Sequence, residues 1–314
     1  MREPIPEALA GERIDRVVSM LVDVSRSAAA TAIADGLVQV DGQTIRTRSR
    51  RVRVGEVIDV DASIGIKTEP IRPDPTTPLE LLFVDDDVIV VDKAPGSVVH
   101  PGAGHESGTI VQALLARFPE IISVGDPARP GIVHRLDKGT SGVFAVARSD
   151  RAYESLTDQL RERTVSRRYV TVAWGRPSAE RGLVDAPIGR AIRDPTRMTV
   201  QEGGKPARTT YEVLASWEDP AVSLLSCRLE TGRTHQIRVH LEAIGHPVVG
   251  DGRYGGGRAG LDFDRPALHA LDLGFEHPGT GEWLEFRSPL PPDLDGLVVG
   301  LGSPNHGDLG EFDV

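Results

Sequence analysis

Residues 134–142 read His134-Arg135-Leu136-Asp137-Lys138-Gly139-Thr140-Ser141-Gly142. The apolar pair Ile132-Val133 leads in and the run Val143–Ala147 leads out, so the stretch reads as a loop between two strands. A single carboxylate lies among an imidazole, a guanidinium and an ammonium. An aspartate two residues before a glycine is a common turn element, because the carboxylate accepts backbone N–H bonds and glycine takes positive φ. From this loop alone a turn and a reactive carboxylate are both open.

Composition narrows the classes. The chain has 314 residues, 39% hydrophobic and 26% charged, enough for two domains with a real core in at least one. Its one cysteine, Cys227, excludes an internal disulfide and sits in an apolar run, where it reads as a small core residue. The amino-terminal residues carry charges throughout and lack an apolar core, and no stretch approaches a membrane span. The expectation is a cytoplasmic protein with no secretory signal.

The net charge of −10 argues against a nucleic-acid partner only until its uneven spread is read. Residues 69–92 carry −6 and residues 291–314 carry −5, which leaves the rest about neutral with clustered cations. Arg46, Arg48, Arg50, Arg51 and Arg53 crowd into eight residues, and Arg161, Arg163, Arg167 and Arg168 form a second cluster. A local basic patch is what phosphate contact requires, and whole-chain charge is a poor guide to it. Such clusters are equally consistent with a solvated surface.

Residues 1–66 read as one small unit. Ile14, Val17, Val18 and Leu21 follow helical spacing, Ser25 is a candidate cap for a second helix through Ala34, and residues 37–40 and 57–60 read as short strands around the turn Asp41-Gly42. The order helix, helix, GLVQVDG, basic run, VGEVIDV resembles the S4 RNA-binding domain. Residues 67–78 hold four prolines and read as a semi-rigid linker. From Leu79 to Pro292 strand-like runs dominate, interrupted irregularly by helical stretches at 109–117, 150–163 and 234–244. This predicts an α+β fold with a mixed, mostly antiparallel sheet and flanking helices. Residues 293–314, acidic and rich in glycine, read as a flexible tail.

Several familiar chemistries find no support. Gly250-Asp251-Gly252-Arg253-Tyr254-Gly255 matches G-x-G-x-x-G but neither follows a strand nor opens a helix, so it reads as a flexible loop. His235 and His240 are five apart, on different faces of any helix, and no cysteine pair is present, so a metal site is not expected. No serine sits in a nucleophile elbow. Two stretches remain beside Asp137. In Arg167-Arg168-Tyr169 a tyrosine enters a strand after a basic helix end. In Thr231-Gly232-Arg233-Thr234-His235-Gln236-Ile237-Arg238 a strand gives way to a helix that carries Arg238 near its start.

HRLDKGTSG, RRYVTVAWG, TGRTHQIRVHLEAIGHPVVGD and LHALDLGFEHP together resemble the RluA-type family of RNA pseudouridine synthases, from about Leu79 to Pro292. The stretch VDKAPGSVVHP at 91–101 also matches, with Ala-Pro where Pro-Ala is more usual. The resemblance implies that Asp137 is the catalytic aspartate, that Arg238 holds its carboxylate, and that Tyr169 stacks on the target uracil and assists a proton transfer. It implies that Arg135 enters the space left by the flipped nucleotide. His134, Lys138 and Arg233, with the arginines at 46, 48, 50, 51 and 53, are then the candidate RNA contacts.

The chemistry agrees with those roles. Uridine becomes pseudouridine when the glycosidic bond breaks, the uracil turns, and carbon 5 rejoins the sugar. No redox change or hydrolysis occurs, so no cofactor is expected. The step needs one carboxylate as nucleophile or base, a cation that favours its ionised form, and an aromatic face to receive an extruded base. Glycines 139 and 142 would let the backbone approach RNA closely. An S4-like domain on this catalytic family implies large-subunit ribosomal RNA, free or within pre-ribosomal particles. The closest likeness is to the branch that modifies several uridines in one large-subunit helix. Transfer RNA, the target of members lacking that domain, is the alternative. An inactive RNA-binding assembly factor also stays open. An aspartate-nucleophile hydrolase is less well supported, since a glycosidase needs two carboxylates across the bond and the next acid here is Asp150. No obligate protein partner and no membrane are expected.

Overall fold

A computed structural model describes residues 2–310 except 23, 25, 62–70, 103, 104, 106, 192, 193, 195 and 196. The expected cap Ser25 and the first residues of the proline-rich stretch lie outside the described residues. The chain divides into two compact units, Met1–Ile71 and Arg72–Val314.

The first unit contains β1 (Arg2–Pro4), α1 (Ile14–Leu21), α2 (Arg26–Asp35), β2 (Val38–Val40), β3 (Gln43–Thr44) and β4 (Val57–Val60). Its strands form an antiparallel sheet in the order β1-β4-β2-β3. Ile14, Val17 and Val18 bury one face of α1 against Ala29 and Ile33 of α2 and the inward residues Val38, Val40, Ile58 and Val60. Asp41 and Gly42 have φ of 50° and 78°, the pair of positive values that a two-residue hairpin turn demands.

In the second unit β5 (Glu80–Val84), β6 (Val88–Lys93), α3 (Ile110–Arg117), β7 (Ser141–Ala147), α4 (Asp150–Glu162) and β8 (Ser166–Trp174) come first. β9 (Arg181–Asp185), β10 (Ile188–Arg190), β11 (Met198–Val200), β12 (Arg208–Glu218), β13 (Ala221–Leu229) and α5 (Gln236–Ala243) follow. β14 (Leu268–Glu276), β15 (Trp283–Arg287), α6 (Pro292–Gly300) and β16 (His306–Gly307) complete the unit. The main sheet runs β16-β12-β13-β8-β14-β7-β6-β5, with β9 on β12 and β15 on β14. β14 and β7 are parallel, and the other pairings of this sheet are antiparallel.

The residues explain the central geometry. β7 is buried at every position and α4 packs on it and on β14, so SGVFAVA has no need of polar alternation. α4 starts at Ser149, whose hydroxyl accepts the Ala152 N–H at 3.1 Å, and stops at Arg163 in the left-handed region with φ 64°. That stop turns the chain straight into β8. Gly142 has φ 112°, and a Cβ there would lie 2.1 Å from the Ala270 carbonyl oxygen. A Cβ on Gly139 would lie 2.8 Å from Pro266 Cδ. Both glycines therefore let the loop pack against residues 266–270.

Two expectations are corrected. Ile132-Val133 is not a strand: the Ile132 N–H closes a turn onto the Arg129 carbonyl at 3.0 Å. The supposed flexible tail is structured through residue 310. Leu294 and Val298, one helical turn apart, are buried on α6. Trp217 donates to the Gly302 carbonyl at 2.9 Å and β16 pairs with β12. The acidic, glycine-rich composition of this segment hid two apolar anchors.

Candidate active site

Asp137 closes the turn before β7, its carbonyl accepting the Thr140 N–H at 3.1 Å. The turn is thus closed by the backbone of this residue and not by its carboxylate. The carboxylate reaches into a cavity of about 650 Å³ that Tyr169, His235 and Arg238 also line. Arg238 Nη1 donates to Asp137 Oδ2 at 3.1 Å.

Arg238 does not hold Asp137 alone. Its Nε and Nη2 donate to the two oxygens of Asp251 at 2.6 and 2.9 Å, and the Tyr254 ring lies 4.9 Å beneath its guanidinium. Burial works against this cation, but Asp251 and Asp137 outweigh it and leave its pKa raised. Asp251 is 1% exposed and its Oδ1 also accepts the Arg253 N–H at 3.1 Å. The G-x-G-x-x-G segment is indeed a loop, but a packed one whose aspartate anchors the arginine of the site.

The start of α5 is built by Gln236. Its Oε1 accepts Thr231 Oγ1 and the Arg233 N–H at 2.8 and 2.9 Å, while its Nε2 donates to the Arg208 carbonyl at 2.9 Å. This knots the turn so that His235 adopts φ 58° and Arg238 projects from the first turn of the helix toward Asp137. His235 Nδ1 is 2.8 Å from the Tyr254 hydroxyl, and its Nε2 is 3.9 Å from Asp137 Oδ1. Burial lowers the His235 pKa.

Lys93, 1% exposed, ties the end of β6 to the Asp137 loop. Its ammonium donates to the carbonyls of Ala94, Ser97 and Lys138 at 3.0, 2.9 and 3.2 Å. Burial drives it down to about 7, against the pull of the Asp137 charge. Three carbonyl acceptors match the three protons of the ammonium, which favours the charged form.

Tyr169 lies on β8 opposite Cys227 and Ala270 and is 7% exposed. Burial pushes its hydroxyl up to about 12, so the ring enters the cavity as a neutral phenol and not as a phenolate base. The Thr140 hydroxyl, buried in the same cavity wall, has no partner among the described residues.

The remaining expected contacts separate into kinds. Arg135 is exposed at the cavity, with Nη1 3.3 Å from His100 Nε2. Arg233 lines the cavity and donates to the Pro206 carbonyl at 3.0 Å. Lys138 is exposed beside His105. His134 also lines the cavity and is half-buried. Its Nε2 accepts the Ala145 N–H of β7 at 3.0 Å, and burial lowers it to about 3, so it is a neutral brace. In the first unit Arg48 and Arg53 project into solvent. Arg46 and Arg51 donate to the carbonyls of Ala34 and Gly11 while staying exposed, and Arg50 is committed to both oxygens of Glu56 at 2.9 and 3.2 Å.

Among the described residues no cluster of three or more His, Cys, Asp or Glu side chains could hold a metal, and no helix is long and apolar enough to cross a membrane.

The cavity thus brings together a carboxylate, the arginine that clasps it and a neutral tyrosine ring. Comparison with known proteins makes the class definite. The family profile "RNA pseudouridylate synthase" matches residues 87–243, and the "S4 domain" profile matches residues 12–58. The solved structure of human RNA pseudouridylate synthase domain containing 1 superposes with a TM-score of 0.55 at 29% identity, covering 76% of this chain and 99% of that one. The chain is 43% identical to the uncharacterized RNA pseudouridine synthase YlyB of Bacillus subtilis, over 92% of this chain and 94% of that protein. It is 41% identical to ribosomal large subunit pseudouridine synthase D of Vibrio vulnificus, over 98% and 97%. The chain belongs to the RluA-type family of RNA pseudouridine synthases. It is an isomerase with an amino-terminal S4 domain that binds RNA.

Proposed function

We propose that this enzyme converts uridines of large-subunit ribosomal RNA to pseudouridine and that Asp137 carries the reaction. The observation that supports the substrate is a likeness of about 41% over nearly the whole length, S4 domain included, to relatives named ribosomal large subunit pseudouridine synthase D.

The proposed mechanism follows the geometry. The surface arginines of the S4 domain, Arg48 and Arg53 foremost, dock the RNA. The target uridine leaves its stack and enters the cavity, where its base lies against the neutral Tyr169 ring. Arg135, exposed at the cavity edge, occupies the space the base has left. The Asp137 carboxylate acts on the nucleotide, oriented through Arg238, which Asp251 holds fixed from its other side. The C1′–N1 bond breaks, the uracil turns within the cavity, and the C1′–C5 bond forms. The proton lost from C5 is balanced by one gained at N1, so the product has the formula of the substrate. A carboxylate already oriented by a fixed cation needs no reorganisation as charge moves, which is where such sites gain most.

The test is pseudouridine mapping of ribosomal and transfer RNA from cells lacking the gene, beside cells with it restored. The expected outcome is loss at particular large-subunit sites, regained on restoration. Loss confined to transfer RNA would overturn the substrate, and an unchanged map of both would overturn the function.

A further inference from the structure

Buried charges in this protein come with partners. Arg238 has two carboxylates, Lys93 three carbonyls, and Asp87 accepts from Ser149 and Arg151. Arg167 is different. It is 6% exposed, its Nε has no partner, and its one hydrogen bond is a long contact of 3.4 Å from Nη2 to the Leu229 carbonyl. No carboxylate among the described residues lies within ion-pair reach of it. Burial accordingly lowers its pKa; the Tyr169 hydroxyl works weakly against that, and no carboxylate contributes to holding its charge. A buried guanidinium without a counter-charge is destabilising, because it has given up its hydration and gained no partner.

Its position indicates what would offset that cost. Arg167 lines the same cavity as Asp137 and sits two residues before Tyr169 on β8, hence on the same face of the strand. The two positions are about 6.6 Å apart along the strand. That spacing is comparable to the separation of a nucleotide's base from its own phosphate. Gly232 covers the guanidinium with bare backbone: a Cβ there would lie 2.9 Å from Nη1, inside contact distance. The neighbouring His134 is neutral, so it neither competes for an anion nor adds a second one-sided charge. Arg161 and Arg163, at the end of α4, line the same part of the cavity but are already paired, with Asp158 and Glu230. Among the described arginines that line this cavity, Arg167 and Arg238 are the buried ones, and of these Arg167 has no carboxylate.

RNA brings one anionic group, the phosphodiester, and a guanidinium fork matches two of its oxygens. We infer that Arg167 binds a phosphodiester adjoining the target uridine, fixing the backbone of the extruded nucleotide while the base lies against Tyr169. This rests on the placement of the base proposed above and adds to it a specific anchor for the sugar–phosphate.

The test is a cycle on an RNA fragment that the wild-type enzyme has been shown to convert. The phosphate on the 5′ or the 3′ side of the target uridine is replaced by a neutral methylphosphonate, and binding and single-turnover conversion are measured for wild type and Arg167→Met. One of the two replacements is expected to weaken wild type about 10- to 100-fold, the range for a charge-assisted pair. Arg167→Met should lose the same factor on unmodified RNA and lose nothing further on the modified one. It should also melt no lower than wild type, because the substitution removes an uncompensated buried charge. Losses that multiply instead of merging, or an Arg167→Met enzyme that binds and converts like wild type, would overturn the anchor. Either result leaves the Asp137 assignment standing, since the RNA is converted. Conversion by an Asp137→Asn enzyme would instead remove the reading on which the anchor rests.

Discussion

The two units use arginine in opposite ways. On the S4 domain Arg48 and Arg53 stand in solvent and Arg46 and Arg51 rest on backbone carbonyls with their charge exposed. In the catalytic unit Arg238 is buried and clasped by carboxylates on both sides. Surface cations act over a Debye length and attract any polyanion, so they supply affinity that salt erodes. A buried cation of fixed orientation acts on one group, and salt does not reach it. The division predicts that charges of the first kind govern binding and those of the second govern the chemical step.

The strongest challenge to that division is Asp251→Asn. The amide keeps the volume but takes a full charge from the clasp, so Arg238 is free to shift its one bond to Asp137. The turnover number should fall about 10- to 100-fold with little change in KM, less than the loss expected from deleting a whole electrostatic partner. Stability should drop by about 2–3 kcal/mol, below the full cost of orphaning a buried charge because Asp137 still faces the guanidinium. Steady-state kinetics and urea unfolding together read both effects, and a change confined to KM would break the comparison.

Arg48→Gln combined with Arg53→Gln should weaken RNA binding about tenfold and lower the salt slope by about 1.5–2, with the single-turnover rate on saturating RNA unchanged. Arg50→Gln sharpens the point from within the same run. Its guanidinium serves Glu56, so this substitution should cost about 1 kcal/mol of S4-domain stability and leave the salt slope in place. Equal salt effects from both variants would mean that the pairing seen with Glu56 does not govern the role of Arg50.

The smallest expected effect concerns pH. All nine histidines lie in the catalytic unit. Burial holds His134 at about 3 and His269 at about 4, below the 6.5 of a free imidazole. Between those values the unfolded chain binds protons that the folded one does not, so stability rises with pH there. Their contribution is complete above about pH 6.5 and is lost as the pH falls toward 4 and 3. Burial holds His100 at about 4 as well, so unfolding of the catalytic unit near pH 5 should take up about three protons, read from the pH dependence of its urea midpoint. A midpoint flat from pH 7 to pH 4 would contradict the neutral, buried state of these rings.

The pairing of Asp137 with Arg238 was legible in the chain only through the resemblance of their two motifs to the family, which the contact between them matches. The mixed sheet and its helices were legible from long apolar runs. Asp251 was not, although its motif had been noticed. Read locally, G-x-G-x-x-G is a dinucleotide fingerprint or nothing, and only the fold brings its aspartate to the far side of Arg238. The bracing role of His134 was not legible either, because only the fold turns its imidazole nitrogen toward the Ala145 N–H of β7. The acidic carboxyl-terminal segment misled through composition, since two apolar residues one turn apart suffice to dock a short helix. The missing anion of Arg167 could not be seen in sequence at all, because a run of arginines says nothing about which one is buried without a partner.

The central claim is that Asp137 performs the chemistry while other charges hold the RNA. It is tested most directly by measuring RNA binding and uridine conversion on the same purified Asp137→Asn protein. The account predicts a dissociation constant within about threefold of wild type, since a surface-driven affinity loses little with one cavity carboxylate, and no detectable pseudouridine after many wild-type turnover times. Pseudouridine formed by that protein would contradict it.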